Sequence, residues 1–194
     1  MFCVIQGRRR RPATEYRKKE EFMFPVDTWS KERVYDVMIE LLYSFNYMWF
    51  LMEDWVKKNC PEEEALEGML ALTDEFGAYE AKRLAKTVEE GPEGIDRLIR
   101  FLEHSHWYAF ENIEVTKLSD TTARMTTKGC SSQRAAKKWG MEYYDCGSSA
   151  LRLRSSFFRW VDPRARITPE FTPPEEKPEE FPSDTSCSWI ISIE

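Results

Sequence analysis

A chain of 194 residues has the length of one domain, and its formal charge of −6 argues against nucleic acid as the main partner. The longest apolar run, Leu41 to Met52, is too short to span a bilayer, and Arg8 to Arg11 interrupt the start where a signal peptide would stay apolar. A cytoplasmic protein is therefore expected. Five cysteines, an odd number, speak for thiols or metal ligands rather than a disulfide framework.

Residues 1–26 are polar and basic and read as an arm. Ser30 is an N-cap candidate for a long helix in which Val34, Met38, Leu41, Phe45, Met48, Trp49, Met52 and Trp55 recur at helical spacing. Between Leu41 and Met52 the apolar residues go most of the way round, which predicts a central helix packed on several sides. Lys57 to Asn59 end it, and Pro61 with three glutamates opens a second helix. Gly77 is expected to break that helix, with a third over Ala78 to Val88. A fourth, carrying Ile95, Leu98, Ile99 and Leu102, follows Gly91-Pro92.

The period then changes. Ile113, Val115 and the run Thr122 to Thr127 read as two strands around a Ser119-Asp120 turn. Ser131 or Ser132 caps a short helix stopping at Gly140, and another helix runs from about Ser148 to Trp160. Arg164 to Phe171 and Ser186 to Glu194 read as strands, the latter with Cys187, Trp189, Ile191 and Ile193 on one face. Between them lies an acidic, proline-rich loop, a candidate lid. The expected fold is α+β: an N-terminal helical layer on a mostly antiparallel sheet, with two helices inserted between the hairpin and the last strands. Residues 27–194 form the domain, 27–107 helical and 108–194 carrying the cysteines and the loop at 169–184.

Cys130, Cys146 and Cys187 all fall at element junctions, where residues distant in sequence converge at one end of a sheet. The trio admits three readings: metal ligands, a reactive thiol, or inert packing. A nucleophilic Cys130 or Cys146 needs a lowered pKa, for which a helix N-terminus is one route. His104 and His106, alternate residues of a segment read as extended, are candidate bases or ligands; as a catalytic candidate His106 joins Cys130 and Cys146.

Gly129-Cys130, Gln133, Trp139-Gly140-Met141, Tyr144, Cys146-Gly147, Asp162-Pro163 and Cys187-Ser188-Trp189 together resemble the L-2-amino-thiazoline-4-carboxylic acid hydrolase-like family over the last third of the chain. A more distant similarity is to 4-vinyl-reductase-type small-molecule sensor domains, whose cysteines and a carboxylate gather around a structural zinc. These resemblances imply small-molecule binding, with zinc at Cys130, Cys146 and Cys187, or hydrolysis of a C–N or C–S bond in a small heterocycle. Ser149 stands where the hydrolase pattern has an Asp, so no carboxylate acid or base carries over.

Asn46, Trp49 and Met52 are the expected lining of an apolar ligand pocket under the first helix. Arg152, Arg154 and Arg159 could fork onto a substrate carboxylate, but a solvated face explains them more cheaply. The expected partner is a small-molecule ligand, with a homodimer compatible with the chain and no nucleic acid or membrane span. The alternative to binding or hydrolysis is an interaction subunit docking through its basic arm and acidic loop.

Overall fold

The computed structural model describes residues 29–88, 91–138 and 140–194. The basic arm expected over 1–26 lies outside them. The chain divides into two compact units, Met1–Val37 and Met38–Glu194. In the first, the backbone N–H of Arg33 donates to Ser30 Oγ at 3.2 Å, the N-cap bond foreseen for that serine, and the Arg33 guanidinium lies over the Trp29 ring.

The helices are α1 (Lys31–Asn59), α2 (Glu62–Leu84), α3 (Gly94–Glu103), α4 (His106–Phe110), α5 (Ser131–Lys138) and α6 (Gly147–Val161). The strands are β1 (Asn112–Lys117), β2 (Thr122–Lys128), β3 (Ala165–Phe171) and β4 (Thr185–Ile193). The four strands form one antiparallel sheet in the order β1-β2-β4-β3. The protein is thus α+β, with helices first and two helices between the hairpin and the last strands. β4, the last strand in sequence, sits inside the sheet and is paired on both edges, which suits its run of Trp189, Ile190 and Ile191.

Register places Ala123 opposite Ile191, Met125 opposite Trp189 and Thr127 opposite Cys187, so these side chains share the face that the helices cover. Against it pack Ile95, Leu98, Phe101 and Leu102 of α3, and Phe157, Phe158 and Val161 of α6. Trp107, Phe157 and Phe158 meet at ring angles favoured by aromatic quadrupoles, Trp107 edge-on to Phe157 at 5.1 Å.

Three expectations are corrected. α2 does not break at Gly77, because that glycine is where α6 crosses: a Cβ there would lie 2.1 Å from the Leu153 carbonyl oxygen and 2.3 Å from Ser156 Oγ. The glycine serves close helix packing rather than chain punctuation, and Thr73, Gly77 and Ala81 form the small-residue face that permits it. α1 is not central, since none of its 29 described residues is buried; Leu41 is 61% and Trp55 62% exposed. The central helix is α6, and Arg154, read as solvated, is one of its buried residues at 9% exposure.

The proline-rich connection after β3 is anchored on the sheet face opposite Trp189. Phe181 meets Phe171 at 4.9 Å and lies under the Arg124 guanidinium, which forks onto Glu170 at 2.8 and 2.7 Å. Ser188 Oγ donates to the same Glu170 carboxylate, which satisfies a hydroxyl fully buried on the outward face. No helix among the described residues is long and apolar enough to cross a membrane.

Candidate functional site

Where α1 passes over α2 and α6, the side chains do not close up. They leave a cavity of about 130 Å³ lined by Phe45, Asn46, Trp49 and Phe50 from α1, Thr73 and Phe76 from α2, His106, Ser132, Tyr144, and Ser149, Ala150 and Leu153 near the start of α6. A wider depression of about 530 Å³ shares Trp49, Tyr144 and Ser149 as walls and is also lined by Glu53, Lys57, Glu62 and Asp145. Ring packing sets the shape: Phe45 lies 5.9 Å from Phe76, and Phe50 stands edge-on to Tyr144 at 4.9 Å. The Tyr144 hydroxyl donates a short hydrogen bond to Glu53. Burial and the Glu53 charge together hold that phenol far above its ordinary pKa. The tyrosine backbone is clasped by the Gln133 amide, which accepts from Tyr144 N at 3.0 Å and donates to its carbonyl at 2.7 Å.

His106 enters the cavity from a helix start rather than an extended segment. His104 caps the C-terminus of α3, with Nδ1 2.8 Å from the Arg100 carbonyl oxygen, so the two histidines do not act together. Glu80 Oε1 accepts from the His106 backbone N–H at 2.8 Å and from its Nδ1 at 2.7 Å. The imidazole stacks on Trp107 at 5.9 Å and 13° and meets Phe76 edge-on.

The three cysteines lie at one end of the helix-covered sheet face. Cys130 precedes α5, Cys146 is the N-cap of α6, and Cys187 is in β4. Gly129, at φ +64°, makes the turn out of β2 that brings Cys130 there. Glu111 gathers the surroundings: its carboxylate accepts the backbone N–H of Ser131 at 2.8 and 2.9 Å and a short bond from the Ser131 hydroxyl, and the Cys130 thiol approaches it at 3.9 Å. Burial raises the Glu111 pKa, against the Ser131 bonds and the charges of Arg134 and Arg154. Arg154 spans the sheet end between two indoles, its guanidinium carbon 4.5 Å from the Trp189 ring and 5.4 Å from Trp107. Its Nε and Nη1 have no hydrogen-bond partner among the described residues.

The helix starts do not activate these thiols. Burial pushes Cys130 up to about 12, with the Glu111 charge adding to it, and pushes Cys146 up to about 11 against the pull of Arg154. Both are protonated near neutral pH. The cysteines are close enough that Cys146 and Cys187 each raise Cys130 further, yet no three His, Cys, Asp or Glu side chains among the described residues are grouped so as to hold a metal ion. A guanidinium beside the thiols also opposes a divalent cation.

Of the residues anticipated from sequence, Asn46 and Trp49 line the cavity together with His106, while Met52 is exposed beside it. Cys130, Cys146 and Cys187 are not part of the cavity lining. Sequence reasoning missed Glu80 and Glu111, and it placed Arg154 on a solvated face although the residue is buried. Glu80 alone left a trace: it falls on the buried, small-residue face of α2 marked by Thr73, Gly77 and Ala81.

These features define an α+β protein with a four-stranded antiparallel sheet and an aromatic cavity beneath an exposed first helix. The chain belongs to a family of unknown function, DUF6125, whose model matches residues 28–193. No curated protein matches it in sequence.

Proposed function

We propose that the protein binds a small organic molecule in the aromatic cavity between α1, α2 and α6. The observation that carries this reading is the lining itself: five aromatic side chains surround a space into which Asn46, Ser132 and His106 converge. Mostly apolar walls with a few placed polar groups are the usual composition of small-molecule sites, and the adjoining depression brings the volume into their range. The resemblance of the last third of the chain to a hydrolase-like family agrees with a small ligand. Hydrolysis through a thiol is disfavoured by the raised Cys130 and Cys146. Zinc at Cys130, Cys146 and Cys187 is a separate proposal that requires these side chains to regroup. Elemental analysis of protein purified without metal affinity decides it, about one zinc per chain supporting the cluster and none removing it.

Native mass spectrometry and thermal shift with a panel of small aromatic compounds test the cavity, using Ala150→Trp to fill it. A bound mass or stabilisation in the wild-type chain that disappears in the filled variant is expected. No bound mass and no shift with any compound overturns the reading.

A further inference from the structure

We infer that the outer face of α1 is an interface between two copies of this chain, which pair antiparallel along a seam of six apolar side chains from Met38 to Trp55. This goes beyond the ligand reading of the cavity and does not rest on it.

Met38, Leu41, Phe45, Met48, Met52 and Trp55 are spaced alternately by three and four residues along α1. That spacing repeats about every 3.5 residues, the period that keeps an apolar stripe in line with a second helix lying against it. All six are between 41% and 62% exposed, while the other side of the helix turns Asn46, Trp49 and Phe50 into the cavity. At those exposures the six side chains leave roughly 700 Å² open, more than is usual for an apolar patch on a monomer and close to the ~800 Å² per partner of a standard interface. No charge interrupts the stripe: Glu40, Glu53, Asp54, Lys57 and Lys58 all fall beside it.

The order of residues says what the second helix is. Laid antiparallel on its own copy about the midpoint between Phe45 and Met48, the seam pairs Met38 with Trp55, Leu41 with Met52 and Phe45 with Met48. Each contact then occurs twice, as a two-fold axis requires. Both aromatic rings meet a methionine, a favourable sulfur-to-ring contact, and bulk is spread evenly along the seam. A parallel arrangement sets Trp55 against Trp55 and Phe45 against Phe45. Charge agrees with the antiparallel choice. It brings Lys57 and Lys58 of each copy toward Glu40 of the other, each lysine keeping its carboxylate on its own helix, Glu53 or Asp54. Parallel packing gathers the lysines of both copies at one end.

Sedimentation velocity of the full chain over about 1 to 300 μM tests this. Wild-type protein is expected to pass from monomer to dimer, and Met48→Glu, which sets two carboxylates near the two-fold axis, to move the midpoint about tenfold or more upward. Leu41→Gln, a milder change on the same stripe, is expected to move it about threefold in the same direction, and decides alone should circular dichroism show Met48→Glu unfolded. For orientation, mixed Leu41→Cys and Met52→Cys chains are expected to cross-link through these two positions on mild oxidation, as mapped by peptide mass spectrometry. A monomer at every concentration overturns the proposal and leaves the stripe to a different occupant. A dimer that neither Met48→Glu nor Leu41→Gln weakens overturns it too. Leu41→Cys chains that cross-link to one another in preference to Met52→Cys chains overturn the antiparallel pairing.

Discussion

α1 and α6 invert the relation usually read from hydropathy. α1 carries Phe45, Met48, Trp49, Met52 and Trp55 and buries none of its residues; α6, with Arg152, Arg154 and Arg159 and four serines, lies at the centre. Burial follows the partner surface available. α6 has the sheet on one side and the small-residue face of α2 on the other, so even an arginine is enclosed there, its charge covered by two indoles and faced by Glu111. α1 meets its neighbours through a few rings at the cavity rim, and an apolar stripe without a facing surface stays exposed whatever its composition.

Substitutions on the two helices' surroundings should differ accordingly. The largest effect is expected at Gly77, where any side chain meets the α6 backbone at 2.1 Å. Gly77→Leu should cost about 3 kcal/mol or more, or prevent folding, as read by urea unfolding. Arg154→Ala should cost roughly 2–3 kcal/mol, because it uncovers two indoles and leaves Glu111 without its inner cation; Arg154→Met, which keeps the volume, should recover much of the loss. If Arg154→Ala is silent, the contrast between the helices fails at its centre.

The thiols give an effect confined to alkaline pH. The folded pKa values of Cys130 and Cys146 lie above the ordinary thiol value of 9.0, so between that value and about 11–12 the unfolded chain releases protons that the folded chain retains. Stability is then fully present below pH 9 and declines as pH rises, by roughly 1.4 kcal/mol per pH unit for each thiol. Cys130→Ser should flatten the alkaline limb of the urea midpoint; an unchanged slope would mean that the thiol is already ionised or solvated. The smallest effect is expected on α1: in dilute, monomeric protein Leu41→Ala, at a position 61% exposed, should stay within about 0.5 kcal/mol of wild type. A larger loss, growing with chain concentration, would show that α1 has a covering partner.

What the sequence determined by itself was local. The Ser30 cap, the strand pair about Ser119-Asp120, the helix stopped before Asp162-Pro163 and the alternation of Cys187, Trp189 and Ile191 all rest on neighbours a few residues apart, and each appears in the fold. Asn46 and Trp49 were legible as cavity candidates because a polar amide amid aromatic residues stands out within two helical turns. Only the tertiary structure decided which helix is central, because Gly77 looks the same whether it breaks a helix or admits one. Glu80 and His106, 26 residues apart, and Arg124 and Glu170, 46 apart, meet through packing of whole elements, and no periodicity in the chain encodes those encounters. The thiols teach the same lesson. Their places before α5 and α6 suggested activation by a helix start, but desolvation by the surrounding core outweighs that short-range field and raises them instead.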